Sequence, residues 1–142
     1  FSKAYGLAGF RIGYGFAHDQ LIKNLLKVKV PFEPSLLAQV AGMAALDDGD
    51  FLSRTIILNE KGKKYLKEEL ELLKVQYISS AANFITTRWE SEKKANSLTE
   101  NLLKKGVIVR QLTSFGWPNY IRVSIGLEEE NEKFIKSLKE IL

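Results

Sequence analysis

The first half of the chain carries apolar residues at helical spacing, interrupted by polar and turn-forming residues. Three amphipathic or apolar segments predict helices, because their apolar positions recur every three to four residues. These predicted helices cover residues 20–27, 35–46 and 50–73. Before them, the stretch 12–17 mixes glycine with apolar residues and predicts a buried strand.

After residue 74 the pattern changes to short apolar runs that alternate with charged, helix-like segments. The runs predict strands at 75–78, 84–89, 107–110 and 120–125, and the charged segments predict helices at 92–105 and 128–142. Gly116 and Pro118 mark a loop at 113–119. This alternation of strands and helices predicts an α/β fold class.

Composition narrows the classes of function. The net charge of +4 comes from lysines interleaved with glutamates, which is typical of solvated helix faces. No basic stripe with interleaved aromatic residues is visible, so a nucleic-acid partner is not expected. No apolar run reaches the roughly 18–20 residues of a membrane span, so no membrane partner is expected either.

The absence of cysteine excludes disulfides and thiolate metal sites, and it fits a reducing compartment such as the cytoplasm. The chain has a single histidine, so the sequence predicts no histidine-based metal centre.

The first fifteen residues hold the strongest candidate chemistry, in the segment Phe-Ser-Lys-Ala-Tyr-Gly-Leu-Ala-Gly-Phe-Arg-Ile-Gly-Tyr-Gly. Lys3 offers an amine that can bond covalently to a carbonyl cofactor. Arg11, eight positions later, offers a planar fork that donates two hydrogen bonds to phosphate oxygens, and Ser2 adds a hydroxyl. Taken singly, each of these residues is more typical of a solvated surface.

Two further arginines are candidates for binding an anion. Arg122 interrupts the apolar, strand-like run 119–126, where a charge is costly without an anionic partner. The alternative is a strand residue that faces water. Arg110, at the end of the run 106–110, either lies beside Arg122 or is a salt-bridged strand end. The residues alone leave these alternatives open.

The segment Ser-Lys-Ala-Tyr-Gly-Leu-Ala-Gly-Phe-Arg-Ile-Gly and the run around Arg122 resemble the aminotransferases of the aspartate aminotransferase fold type (class I and II). Among these, the chain is most similar to the histidinol-phosphate aminotransferases. The resemblance implies the C-terminal part of a pyridoxal-phosphate-dependent transferase fold. The parts would be the end of the cofactor-binding large domain at 1–33, connecting helices at 34–74 and a small α/β domain at 75–142.

The resemblance also implies roles for the candidate residues. Lys3 would be the catalytic lysine that binds pyridoxal 5'-phosphate, and Ser2 and Arg11 would hold the cofactor phosphate. Arg122, together with Arg110, would bind an acidic group of the substrate. The partners would be a small-molecule amino donor, a 2-oxo acid and a second copy of the chain in a homodimer.

The expected reaction is transamination between histidinol phosphate and 2-oxoglutarate in histidine biosynthesis. We expect these residues alone to be inactive, because the family's upstream large domain supplies the partner of the cofactor's pyridine nitrogen. Alternatives of the same fold are an aromatic amino-acid aminotransferase and a phospho-amino-acid decarboxylase. From a different class, the fragment would act only as a structural or dimerisation module.

Overall fold

The computed structural model describes all 142 residues, which divide into two compact units, Phe1–Ile56 and Ile57–Leu142. Helices α1 to α5 span Asp19–Val28, Leu36–Asp47, Gly49–Leu72, Glu92–Lys104 and Glu128–Lys139. Strands β1 to β4 span Gln76–Ile78, Phe84–Arg88, Arg110–Leu112 and Trp117–Ser124. None of these helices combines the length and the apolar character that crossing a bilayer requires.

The first unit contains α1, α2 and the start of α3, close to the bounds that the sequence predicts. Ser35 begins α2, where its Oγ accepts a hydrogen bond from the Ala38 N–H at 3.2 Å. Asp48 alone separates α2 from α3, and its Oδ1 accepts from the Phe51 N–H at 2.8 Å. Side-chain caps therefore set both helix starts.

The strand predicted at 12–17 is wrong. Residues 12–18 have no regular secondary structure, and residues 13–17 are exposed. The sheet pairs β1, β2, β4 and β3, and residues 12–17 pair with none of these strands.

The second unit is a four-stranded sheet with helices on one face. The strand order is β1-β2-β4-β3, and every neighbouring pair is antiparallel. Alternate residues of β2 and β4 point into a core shared with the helices. The largest fully buried side chains of this core are Leu66, Leu70, Ile85, Leu98, Leu102, Ile121, Ile135 and Leu138. Arg122 lies on the other face of the sheet.

The third strand lies later than the sequence predicts, at Arg110–Leu112 instead of 107–110. Gly106 ends α4 with a φ of +72°, and the Val107 N–H bonds back to the Leu102 carbonyl at 2.9 Å. The first residues of the apolar run therefore complete the helix C-terminus and reach the sheet only at Arg110.

The loop predicted at 113–119 is also shorter than expected. A single 3₁₀ turn at Thr113–Phe115 and Gly116, with a φ of +78°, make the reversal, and β4 already begins at Trp117. Proline within β4 is tolerated because Pro118 lies beyond the β2 ladder, which pairs Tyr120 to Ser124, and on the β3 side it falls at the register shift between Trp117 and Ile121.

Candidate functional site

The segment that carries Lys3 is a locally hydrogen-bonded loop. The Lys3 carbonyl accepts from the Gly6 N–H at 2.9 Å, and the Phe1 carbonyl accepts from the Leu7 N–H at 3.1 Å. Gly6 has a φ of +67°, a conformation that glycine adopts without strain. The loop thus fixes the backbone of Lys3 and leaves its side chain exposed.

Arg11 follows a single 3₁₀ turn at Ala8–Phe10 and adopts a left-handed φ of 51°. A non-glycine residue there is uncommon. Its Nη1 donates to the Ala8 carbonyl at 3.0 Å, so the guanidinium folds back over its own turn. The remaining N–H groups of this exposed fork are free to bind an anion.

The donor set of this loop fits pyridoxal phosphate. None of the four ion pairs of the chain involves Lys3 or Arg11, so no carboxylate neutralises either cation. The Ser2 hydroxyl is half-buried in the same loop. An amine, a hydroxyl and a guanidinium match a ligand that has both an aldehyde and a phosphate.

Arg122 lies in the middle of β4 between Ile121 and Val123, which are buried in the core. Its side chain therefore lies on the opposite face of the sheet from those neighbours. Its Nε is buried without a hydrogen-bond partner, and the centre of its guanidinium lies 5.4 Å from the centre of the Phe84 ring. A buried, unpartnered donor is costly, which is typical of a group that awaits a ligand.

Arg110 pairs directly with Arg122 across the β3–β4 ladder. Directly paired residues of an antiparallel pair lie on the same face with Cβ atoms about 5 Å apart, where like charges repel. Neither arginine takes part in an ion pair within these residues. Two adjacent cations without a carboxylate form a site suited to an anion with two charged oxygens.

The structure thus brings the candidate residues together in two groups, one in each unit. Ser2, Lys3 and Arg11 share the first loop, and Arg110 and Arg122 share one row of the sheet. Sequence reasoning missed the neighbours of Arg122, Phe84 and Thr86, which β2 contributes. The run 84–89 was predicted as a strand, but only the strand register places these two residues beside Arg122.

Comparison with known proteins supports the expectation from the motifs. The family model described as aminotransferase class I and II matches residues 1–138. Histidinol-phosphate aminotransferase 2 of Carboxydothermus hydrogenoformans is 44% identical over the whole chain. The histidinol-phosphate aminotransferase of Moorella thermoacetica is also 44% identical over the whole chain. The chain spans 39% of the length of the first relative and 36% of the second.

Solved structures show the same fold. Histidinol-phosphate aminotransferase from Sinorhizobium meliloti, in complex with pyridoxal-5'-phosphate, superposes with a TM-score of 0.91 at 26% identity. The match covers 99% of this chain and 39% of that one. The α/β fold class, the fold family and the family's cofactor, pyridoxal phosphate, are thereby confirmed. The chain therefore belongs to the aminotransferase class I and II family, whose model matches residues 1–138.

Proposed function

We propose that the protein containing these residues transfers an amino group between histidinol phosphate and 2-oxoglutarate, using pyridoxal phosphate, in histidine biosynthesis. The paired arginines carry the proposal, because Arg110 and Arg122 face each other across two strands with no carboxylate between them. Both substrates have a group with at least two anionic oxygens. The printed names of relatives at 44% identity support the choice of amino donor.

We assign the covalent attachment of the cofactor to Lys3. Pyridoxal phosphate, when bound, supplies an electron sink for the substrate carbon that loses its proton. The freed amine of Lys3 would take that proton from the substrate carbon and deliver it to the cofactor carbon. The amine must be neutral when it accepts the proton.

Arg11 and Ser2 are assigned to the cofactor phosphate. The fork of Arg11 has donors left over after its bond to Ala8, and Ser2 is the adjacent hydroxyl of the same loop. A guanidinium forms stronger bonds to phosphate than a neutral donor does. Their role would be to hold the cofactor while Lys3 is detached from it.

Arg122 and Arg110 are assigned to the substrate anion. Binding an anion relieves the repulsion between the two guanidinium groups and gives the buried Nε of Arg122 an acceptor. The same pair can receive the phosphate of the amino donor or a carboxylate of the 2-oxo acid, because the two substrates bind in alternate halves of the reaction.

We further propose a cytoplasmic homodimer. The resemblance to the family supports this assembly, because its active sites form between subunits. Light scattering of the protein expressed from its complete reading frame tests it, and a monomer that is active at the same concentration contradicts it.

The test of function is a comparison of amino donors in that protein. Glutamate formation from 2-oxoglutarate is measured with histidinol phosphate, phenylalanine and threonine phosphate, with decarboxylation followed in parallel. We expect the highest kcat/KM with histidinol phosphate. After Arg122→Gln, we expect the KM for histidinol phosphate to be at least about tenfold higher.

Other outcomes identify the alternatives. Preference for phenylalanine would indicate an aromatic aminotransferase, and release of carbon dioxide from threonine phosphate would indicate a decarboxylase. No reaction with any donor, and no bound cofactor, would leave a structural or dimerisation module and refute the proposal.

A further inference from the structure

We infer that Phe84 is a positioning residue whose ring holds the Arg122 guanidinium in place for the substrate anion. The inference rests on the anion-binding role proposed for Arg122. It adds a residue from β2, a strand to which the proposed function assigns no role.

The contact itself is a cation over an aromatic face. The guanidinium carbon of Arg122 lies 5.4 Å from the centre of the Phe84 ring, within the roughly 6 Å over which such attraction acts. Phe84 pairs with Ser124, two residues along β4 from Arg122, so the two side chains are diagonal neighbours on one face. The ladder register, and not a flexible loop, sets the contact.

The surroundings of Arg122 give the guanidinium no polar partner. Thr86, directly opposite on β2, forms no hydrogen bond with it, and Arg110, opposite on β3, repels it. The attractive contact that the charged group makes is with the ring of Phe84. Without the ring, the repulsion from Arg110 would leave the long side chain free to turn away from the sheet.

An aromatic ring suits this task better than a carboxylate would. A carboxylate bonds to the N–H edge of the guanidinium and would compete with the substrate for those donors. A ring attracts the face of the guanidinium and leaves the N–H groups in the plane free. Phe84 would therefore prepare Arg122 for an anion without blocking it.

This role predicts an effect on substrate binding that depends on the presence of Arg122. In the protein expressed from its complete reading frame, we expect Phe84→Leu to raise KM for 2-oxoglutarate by roughly two- to tenfold, with kcat within about twofold. Phe84→Tyr keeps the ring and should restore the original KM. In the Arg122→Gln background, Phe84→Leu should leave KM unchanged within about twofold, because the ring acts only through that guanidinium.

Phe115→Leu is the matched control, because Phe115 is an exposed phenylalanine in the β3–β4 turn. We expect its KM values to be unchanged. An unchanged KM for 2-oxoglutarate in Phe84→Leu overturns the inference. So does a Phe84→Leu substitution that raises KM as much in the Arg122→Gln background as in the original protein, since that indicates a general structural role.

Arg122→Gln separates the two proposals. If Arg122→Gln raises KM and Phe84→Leu does not, only the positioning role of Phe84 is wrong. If Arg122→Gln also leaves KM unchanged, the anion-binding role of Arg122 fails, and the inference fails with it.

Discussion

Asn131 closes the turn that follows the strand carrying Arg122. Its Oδ1 accepts from the Gly126 N–H and its Nδ2 donates to the Gly126 carbonyl, both at 3.0 Å. Only 3% of Asn131 is exposed, so water cannot replace these bonds. One side chain thus satisfies both backbone groups of the residue that links β4 to α5.

Asn131→Ala should lower the free energy of unfolding by about 1–3 kcal/mol, because it leaves both backbone groups of the half-buried Gly126 unpaired and removes a buried side chain. Urea unfolding of the protein measures the loss. Asn24→Ala, at an exposed position of α1, should change the stability by less than about 0.5 kcal/mol. Equal effects of the two substitutions would show that the Asn131 bonds contribute nothing specific.

The residue scale also shows what the sequence can and cannot predict. The spacing of Lys3 and Arg11 is local, so the motif was visible without a structure. The cation–π contact of Arg122 with Phe84 joins residues that are far apart in the sequence, and only the strand register brings them together. The left-handed conformation of Arg11 carries no sequence signal, because arginine has no preference for it.

At the scale of elements, α3 approaches the end of β4 through a glycine. A Cβ on Gly62 would lie 2.6 Å from Ile125 Cγ2 and 2.7 Å from Asn131 Nδ2. Both neighbours are held in place, Asn131 by its bonds to Gly126 and Ile125 by its backbone bond to the Asn83 carbonyl. Only glycine allows the helix to pack so close to this turn.

Gly62→Ala should therefore destabilise the protein by about 1–3 kcal/mol, although alanine is the better helix former by about 1 kcal/mol. Gly49→Ala is the matched control in the same helix, because a Cβ there meets nothing within 4 Å. Thermal unfolding of both variants decides between the two effects. A more stable Gly62→Ala protein would show that Ile125 and Asn131 move aside freely.

The C-terminal ends of α4 and α5 are joined by Lys105 and Glu140. The hydrogen bond from Lys105 lowers the pKa of the Glu140 carboxyl below its usual value. A lowered folded-state pKa means that the contribution is present at neutral pH and is lost as the pH falls through that lowered pKa.

Glu140→Gln should therefore be less stable than the original protein at neutral pH, and the difference should disappear in acid. The urea midpoint measured from pH 7 downward tests this. Glu100→Gln, on the exposed face of α4 and outside every ion pair, should show no such pH dependence. A constant gap between Glu140→Gln and the original protein at all pH values would contradict the assignment.

The sequence predicted most elements because their signals are periodic and local, as with α3, predicted at 50–73 and observed at Gly49–Leu72. It misplaced β3 because an apolar run does not say where a helix cap ends and a ladder begins. It predicted a strand at 12–17 from the mixture of glycine and apolar residues. A strand also needs a neighbouring strand to pair with, and the residues of the segment itself do not show whether one is present.

At the scale of the whole molecule, all 142 residues align with the Carboxydothermus hydrogenoformans relative, but they span only 39% of its length. Within these residues each unit holds one half of the proposed chemistry, the cofactor loop in the first and the anion-binding arginines in the second. The domain bounds at 1–33, 34–74 and 75–142 stay a prediction. Membership of the aminotransferase family supports the proposed amino-group transfer. The roles of Lys3, Arg11 and Arg122 are proposals, and the Arg122→Gln substitution described above tests the last of them.

The central claim is that the cofactor is bonded to Lys3, and chemical mapping tests it most directly. The protein expressed from its complete reading frame is incubated with pyridoxal phosphate, reduced with borohydride, digested and analysed by mass spectrometry. We predict a single modified peptide, the one that contains Lys3, and no modification in Lys3→Ala. Stoichiometric modification of any other lysine, or a cofactor bond that persists in Lys3→Ala, would contradict the account.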